Sequence, residues 1–238
     1  VFAQVNNNES FDGSTFAPSG WTNTAIVGSM AWSRVTTTTY PTGTTPHSGA
    51  GMAQFDAWNA AASGDVAVLI TPVYALTNRG TNTPTVSYWI YRHSYSIQSP
   101  SSALDVYINT SASLTGATLL GTVYSRYDQA PVVAAAGWYQ YGYNIPSGFS
   151  SGSNYIIFKA TGDYYNNIHI DDVLYVSYPS GPLPPSTFSA TAVSGSQINL
   201  SFTPNASSNN VVIAYNTTGT FGTPSGTPPS VGTAFAGG

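Results

Sequence analysis

The stretch Leu104-Asp105-Val106-Tyr107-Ile108-Asn109 decides the fold class. Leu104, Val106 and Ile108 fall on one side of an extended chain, and Asp105, Tyr107 and Asn109 on the other. Successive side chains of a strand point to opposite faces, so this pattern is that of a half-buried strand in a sandwich. Working outward, similar short runs recur at Asp65–Val73, Thr85–Arg92, Tyr139–Ile145, Asn154–Ala160 and Ile168–Val176. Clusters of Gly, Pro, Ser, Thr and Asn separate them, and no segment sustains a helical period. Short alternating runs between turn residues predict an all-β protein.

The chain has 238 residues, enough for one large β-domain or for one domain with a smaller companion. Hydrophobic residues make up 42% and aromatics 13%, so a core can form. Only 6% of residues are charged, against about 25% in an ordinary globular domain. Five scattered cations cannot displace counterions from a phosphate backbone, which excludes nucleic-acid binding. No apolar run approaches the roughly 20 residues of a membrane span. There is no cysteine; a Ser-, Thr-, Asn- and Tyr-rich chain of this kind fits bacterial secretion. Val1-Phe2-Ala3-Gln4 has the small residue that a signal peptidase prefers, and equally suits a flexible N-terminus.

Pro179-Ser180-Gly181-Pro182-Leu183-Pro184-Pro185 marks a boundary, because dense proline stiffens the chain and prevents sheet pairing. Three further strand candidates follow, Phe188–Val193, Gln197–Phe202 and Val211–Tyr215, with Ile198, Leu200 and Phe202 expected to alternate inward. A complete immunoglobulin-like sandwich takes about 100 residues, more than the chain offers after Pro184. The expected organisation is a leftover leader or flexible start at 1–5, a main β-domain at 6–178, a linker at 179–185 and an incomplete β-module at 186–238. The sequence is then a piece of a longer chain, or another molecule completes the module.

Acidic residues are scarce, so their positions are informative. They group at Glu9-Ser10-Phe11-Asp12-Gly13, at Asp56, and at Asp171-Asp172 within Ile168–Val176. Strict alternation places Asp172 on the same face as Ile170, Leu174 and Val176. A carboxylate there is costly unless compensated, and cations are too few to partner every acid. Calcium, which takes 6–8 oxygen ligands, is one solution; turn caps and backbone N–H donors are the other.

The ordered set Glu-Ser-Phe-Asp-Gly at 9–13, Pro18-Ser19-Gly20-Trp21, Gly51-Met52-Ala53-Gln54-Phe55-Asp56-Ala57 and a closing Ile-Asp-Asp-Val at 170–173 resembles the cleaved-adhesin, or choice-of-anchor, domain. That family is related in fold to MAM domains, and the resemblance covers roughly residues 6–178. Asn209–Asn216 followed by Gly219-Thr220-Phe221-Gly222 resembles the fibronectin type III-like modules that follow such domains in large Bacteroidetes surface proteins. The resemblance implies a jelly-roll β-sandwich, then a partial immunoglobulin-like (fibronectin III-like) module. It implies structural calcium with Glu9, Asp12, Asp56, Asp171 and Asp172 as candidate ligands, Asp172 foremost. It also implies a secreted or bacterial cell-surface location reached through type IX secretion machinery, although no sorting domain for that route is visible in the sequence.

Signs of catalysis are weak. His47, His93 and His169 show no metal-ligand spacing, and there is no G-x-S-x-G elbow. In Trp138-Tyr139-Gln140-Tyr141-Gly142-Tyr143, Trp138 and alternate tyrosines are expected to fill the inter-sheet core. Trp21, Trp32 and Trp58 are expected to be structural. Tyr164 and Tyr165, beside Asn166 and Asn167, suit either packing or the stacking of rings on sugar faces. The expectation is therefore a non-enzymatic surface adhesin or structural binding module. Its partners are a glycan or protein on a surface, or neighbouring modules of a longer chain. The alternatives are the carbohydrate-binding part of a larger secreted enzyme, and a subunit of an extracellular filament that gains a strand from another chain.

Overall fold

The structure is a computed structural model and describes residues 4–60, 64–94, 102–162, 166–179, 186–195, 197–204 and 211. Every regular element among them is a β-strand. A first compact unit spans Gln4–Ser180, and a second includes Gly181–Gly238.

The first unit is a sandwich of two antiparallel sheets. One is built from β3 (Trp32–Val35), β4 (Met52–Phe55), β11 (Ile168–Ser177), β6 (Thr85–Arg92) and β9 (Gly137–Asn144) in that order, with β1 (Val5–Glu9) also on β11. The other runs β2 (Thr22–Val27), β5 (Val66–Ile70), β10 (Tyr155–Thr161), β7 (Ala103–Asn109) and β8 (Thr118–Tyr124). The alternation read in β7 holds: Leu104, Val106 and Ile108 are wholly buried. They meet Ile156, Phe158 and Ala160 of β10 and Val86, Tyr88 and Ile90 of β6 in one inter-sheet core. Each Val, Leu, Ile or Phe among them contributes about 1.5–3 kcal/mol by leaving water. Sequence alternation did not reveal β1, β2, β3, β4 or β8. β1 reads Val-Asn-Asn-Asn-Glu, without apolar alternation, and β4 is buried on both faces, so neither shows a period of two.

Strand β11 is the organiser. β4 lies beside its first half and β1 beside its second, with β6 along the other edge. Where β4 ends and β1 begins, the register with β6 slips between Asp171 and Leu174, and Asp172 takes a left-handed φ of 46°. This bulge corrects the expectation for Asp172. The inward face carries Ile168 and Ile170 before the bulge but Val173 and Tyr175 after it. Strict alternation fails because a bulge inserts one residue. Asp171 is the fully buried acid, while Asp172 is half-buried at the rim.

Arginines tie the loops down in place of disulfides. Arg79 donates to the carbonyls of Asn82, Ile145, Pro146 and Phe149. Arg92, wholly buried, donates to the carbonyls of Arg126, Gln129 and Pro131 and to the Tyr141 hydroxyl. Lys159 pairs with Asp105 at 3.0 Å, and Arg126 pairs with Asp128. These cations are committed to the fold, and the outer surface is left polar and nearly uncharged.

In the second unit, β12 (Ser186–Ser194) and β13 (Gln197–Thr203) form an antiparallel pair. Ile198 and Leu200 stand exposed, against the expectation that they point inward, because no second layer covers them among the described residues. The strand expected at Val211–Tyr215 lies outside the described residues beyond Val211.

Candidate binding site

The outer face of the first sheet follows from the register. With Val86, Tyr88 and Ile90 inward, β6 turns Ser87, Trp89 and Tyr91 outward. Cross-strand neighbours share a face. Tyr91 faces Trp138, Trp89 faces Gln140 on one side and Asp171 on the other, and Ser87 faces Gly142. Trp138 thus stands on the outer face, half-buried, and not in the inter-sheet core as expected. Tyr139, Tyr141 and Tyr143 take the inward positions of β9; from there Tyr141 and Tyr143 pack against the core. Alternation separates the two sets but does not say which faces in.

The connection between β3 and β4 crosses this outer face and is held to it at several points. The His47 ring stacks on Trp89 with centroids 3.7 Å apart and planes at 16°, and meets Trp138 edge-on at 5.9 Å. The Trp138 indole Nε1–H donates to the Thr45 carbonyl at 3.1 Å. Tyr91 packs against Trp138 at 5.6 Å and 76°. At the bulge, Asp172 Oδ2 meets His47 Nδ1 at 2.6 Å and Asp172 Oδ1 accepts from the Ser48 hydroxyl at 2.7 Å. Asp171 accepts the backbone N–H of Ser48 at 3.2 Å and of Asp172 at 2.8 Å. Burial pushes the Asp171 carboxyl up to about 6, the charge of Asp172 adds to the rise, and the backbone donors oppose it. Further along, Tyr40 stacks on Trp58 at 3.8 Å.

The remaining acids are placed as follows. Glu9 accepts the Phe11 N–H at 2.7 Å. Asp12 reaches the same β3–β4 connection, accepting the N–H groups of Ala50 and Gly51 and the Ser10 hydroxyl. The Ala50 donor foremost holds its carboxyl below the ordinary value. Asp56 closes its own turn through Asn59, away from the others. The fold therefore brings Asp12, Asp171 and Asp172 to one connection, leaves Glu9 nearby in sequence and sets Asp56 apart. Their oxygens accept N–H and O–H groups, and among the described residues no three His, Asp or Glu side chains cluster closely enough to hold a metal. Tyr164 and Tyr165 lie outside the described residues.

His47 and the two arginine clamps, Arg79 and Arg92, went unread as site-forming residues. For Arg92 a signal existed: it continues the inward series Val86, Tyr88, Ile90. For His47 none did, since 125 residues separate it from Asp172.

No family model and no curated protein sequence matches the chain. Its architecture is that of the cleaved adhesin domains. The K2 cleaved adhesin domain of Lys-gingipain superposes with a TM-score of 0.52 at 18% identity, covering 71% of this chain and 97% of that one. The K1 domain from Porphyromonas gingivalis W83 gives 0.50 at 16%, covering 74% and 99%. The K3 domain gives 0.50 at 19%, covering 74% and 99%. At these identities the likeness establishes the fold, an adhesin-like jelly roll.

Proposed function

We propose that the chain is a non-catalytic binding module of a surface-exposed or secreted protein, and that it takes an uncharged sugar on the outer face of β6 and β9. One observation carries the proposal: half-buried Trp138 and Tyr91 rings stand beside the exposed amide of Gln140, on a face without lysine or arginine. Rings of this kind offer flat apolar area to a pyranose, and a side-chain amide exchanges bonds with hydroxyls. Trp138 is oriented in advance by its bond to Thr45, which lowers the cost of ordering it on binding. Exposed Asn144 extends the polar strip past Gly142.

The histidines support binding over catalysis. Ser48, His47 and Asp172 meet, but the Ser48 hydroxyl is bonded to the carboxylate and not to the imidazole, so the three do not line up as a serine–histidine–aspartate relay. His93 and His169 are buried and hydrogen-bonded within the fold. A glycan array probed with the full chain and with Trp138→Ala tests the proposal. Binding to neutral glycans that falls about tenfold or more in the variant supports it, in line with the loss of an aromatic anchor. Binding confined to acidic glycans, or equal in both proteins, contradicts it.

A further inference from the structure

The carbonyl oxygens of Phe11, Asp12 and Ala50 converge on Arg34 of β3. Nε donates to Phe11 at 2.7 Å, and Nη2 donates to Asp12 at 3.1 Å and to Ala50 at 2.8 Å. Beside them lies the Asp12 carboxylate, which also binds the 50–51 backbone. Two glycines make room. A Cβ on Gly51 would come within 2.4 Å of the Arg34 Nε, and one on Gly49 within 2.1 Å of Asp12 Oδ1. Main-chain carbonyls with an adjacent carboxylate are the oxygen set that a hard divalent cation takes. The clamps at Arg79 and Arg92 differ: the oxygens they engage are carbonyls and, for Arg92, the Tyr141 hydroxyl.

We infer that Arg34 is a built-in substitute for a metal ion: its guanidinium fills a cation cradle that joins the start of the domain to the β3–β4 connection. The arginine satisfies with directed N–H donors the carbonyls that an ion would otherwise coordinate, and its charge adds a small part to holding the Asp12 carboxyl ionised. The fold at this point then needs no calcium, and removing the guanidinium leaves an oxygen cradle open to one. The inference is independent of the sugar site.

Thermal unfolding of the full chain, with millimolar calcium or with a chelator, tests it on the wild type, Arg34→Ser and Arg34→Lys. The wild type is expected to unfold at the same temperature in both. Arg34→Ser is expected to unfold several degrees lower in chelator and to recover in calcium. Arg34→Lys keeps a cation in the cradle and is expected to ignore calcium. A wild-type midpoint that falls with chelator overturns the inference. So does an Arg34→Ser variant that is unchanged, or that is weakened without recovery in calcium, and so does an Arg34→Lys response equal to that of Arg34→Ser. If Arg34→Ser does not fold in chelator, folding restored by calcium supports the inference and failure in both conditions overturns it. Terbium luminescence sensitised by the aromatic residues gives a second readout, expected from Arg34→Ser and absent from the wild type.

Discussion

Mild acid is predicted to weaken the first unit through two buried histidines. His93 accepts from the Asn166 amide at Nδ1 and donates from Nε2 to Ser125, so a second proton would set two donors against each other. Burial, with help from the charges of Arg126 and Arg92, lowers its pKa from 6.5 to about 4. His169 is wholly buried, donates to Gln54 at 2.9 Å and leaves Nδ1 without a partner among the described residues; burial lowers its pKa from 6.5 to about 3. Because the folded pKa values lie below the unfolded one, the contribution of both groups is complete above about pH 6.5 and drains as the pH falls. Between about pH 7 and pH 5 each histidine withdraws about 2 kcal/mol. Asp171 works the other way: its raised pKa returns about 1 kcal/mol over the same interval as it takes up its proton. The net loss is about 3 kcal/mol, a large share of the ~5–15 kcal/mol that holds a domain together. Urea unfolding followed by tryptophan fluorescence at the two pH values measures it, read from the midpoint at constant slope. His169→Gln is expected to lose about half of the histidine-driven drop. Equal or greater wild-type stability at the lower pH would refute the reasoning.

Other outcomes follow from the packing. Phe55→Ala, at a side chain with no exposure in the core, is expected to cost about 3–5 kcal/mol in chemical unfolding. Arg92→Met removes a wholly buried guanidinium that donates to the carbonyls at 126, 129 and 131, and is expected to cost about 1–3 kcal/mol, with the 125–131 segment becoming susceptible to proteolysis. Gly49→Ala, at φ 61° and against Asp12, is expected to cost about 1–3 kcal/mol and to lower the melting temperature.

Much of the fold was legible because alternation reports burial directly. Val86 to Arg92 and Leu104 to Ile108 read as half-buried strands, and they are. Alternation misled where a residue is inserted. At Asp171-Asp172 it assigned the wrong acid to the buried position, since a left-handed residue at 172 resets the faces. Scarcity of charge singles out the acids at 12, 171 and 172. Their shared partner, the 47–51 connection, was beyond reach, because only the folded sandwich brings residue 47 to residue 172. Trp138 shows the limit of composition. An aromatic residue fills a core or faces a ligand with equal ease, and only the register with Tyr91 places it outside. The same holds for Ile198 and Leu200, whose pattern suits a covered strand but whose faces are open.

On the proposed function, the β6–β9 outer face receives a neutral sugar, and the tryptophans report it. Five tryptophans give five indole N–H signals, from Trp21, Trp32, Trp58, Trp89 and Trp138. Titrating the labelled full chain with gluco-, galacto- and manno-oligosaccharides, observed by heteronuclear NMR, tests it most directly. At least one of these ligands is expected to move the Trp138 signal in a saturable way, with Trp89 following and Trp21 and Trp32 still. A Trp138 signal that no sugar in the panel moves, or saturable shifts confined to other tryptophans, would contradict it.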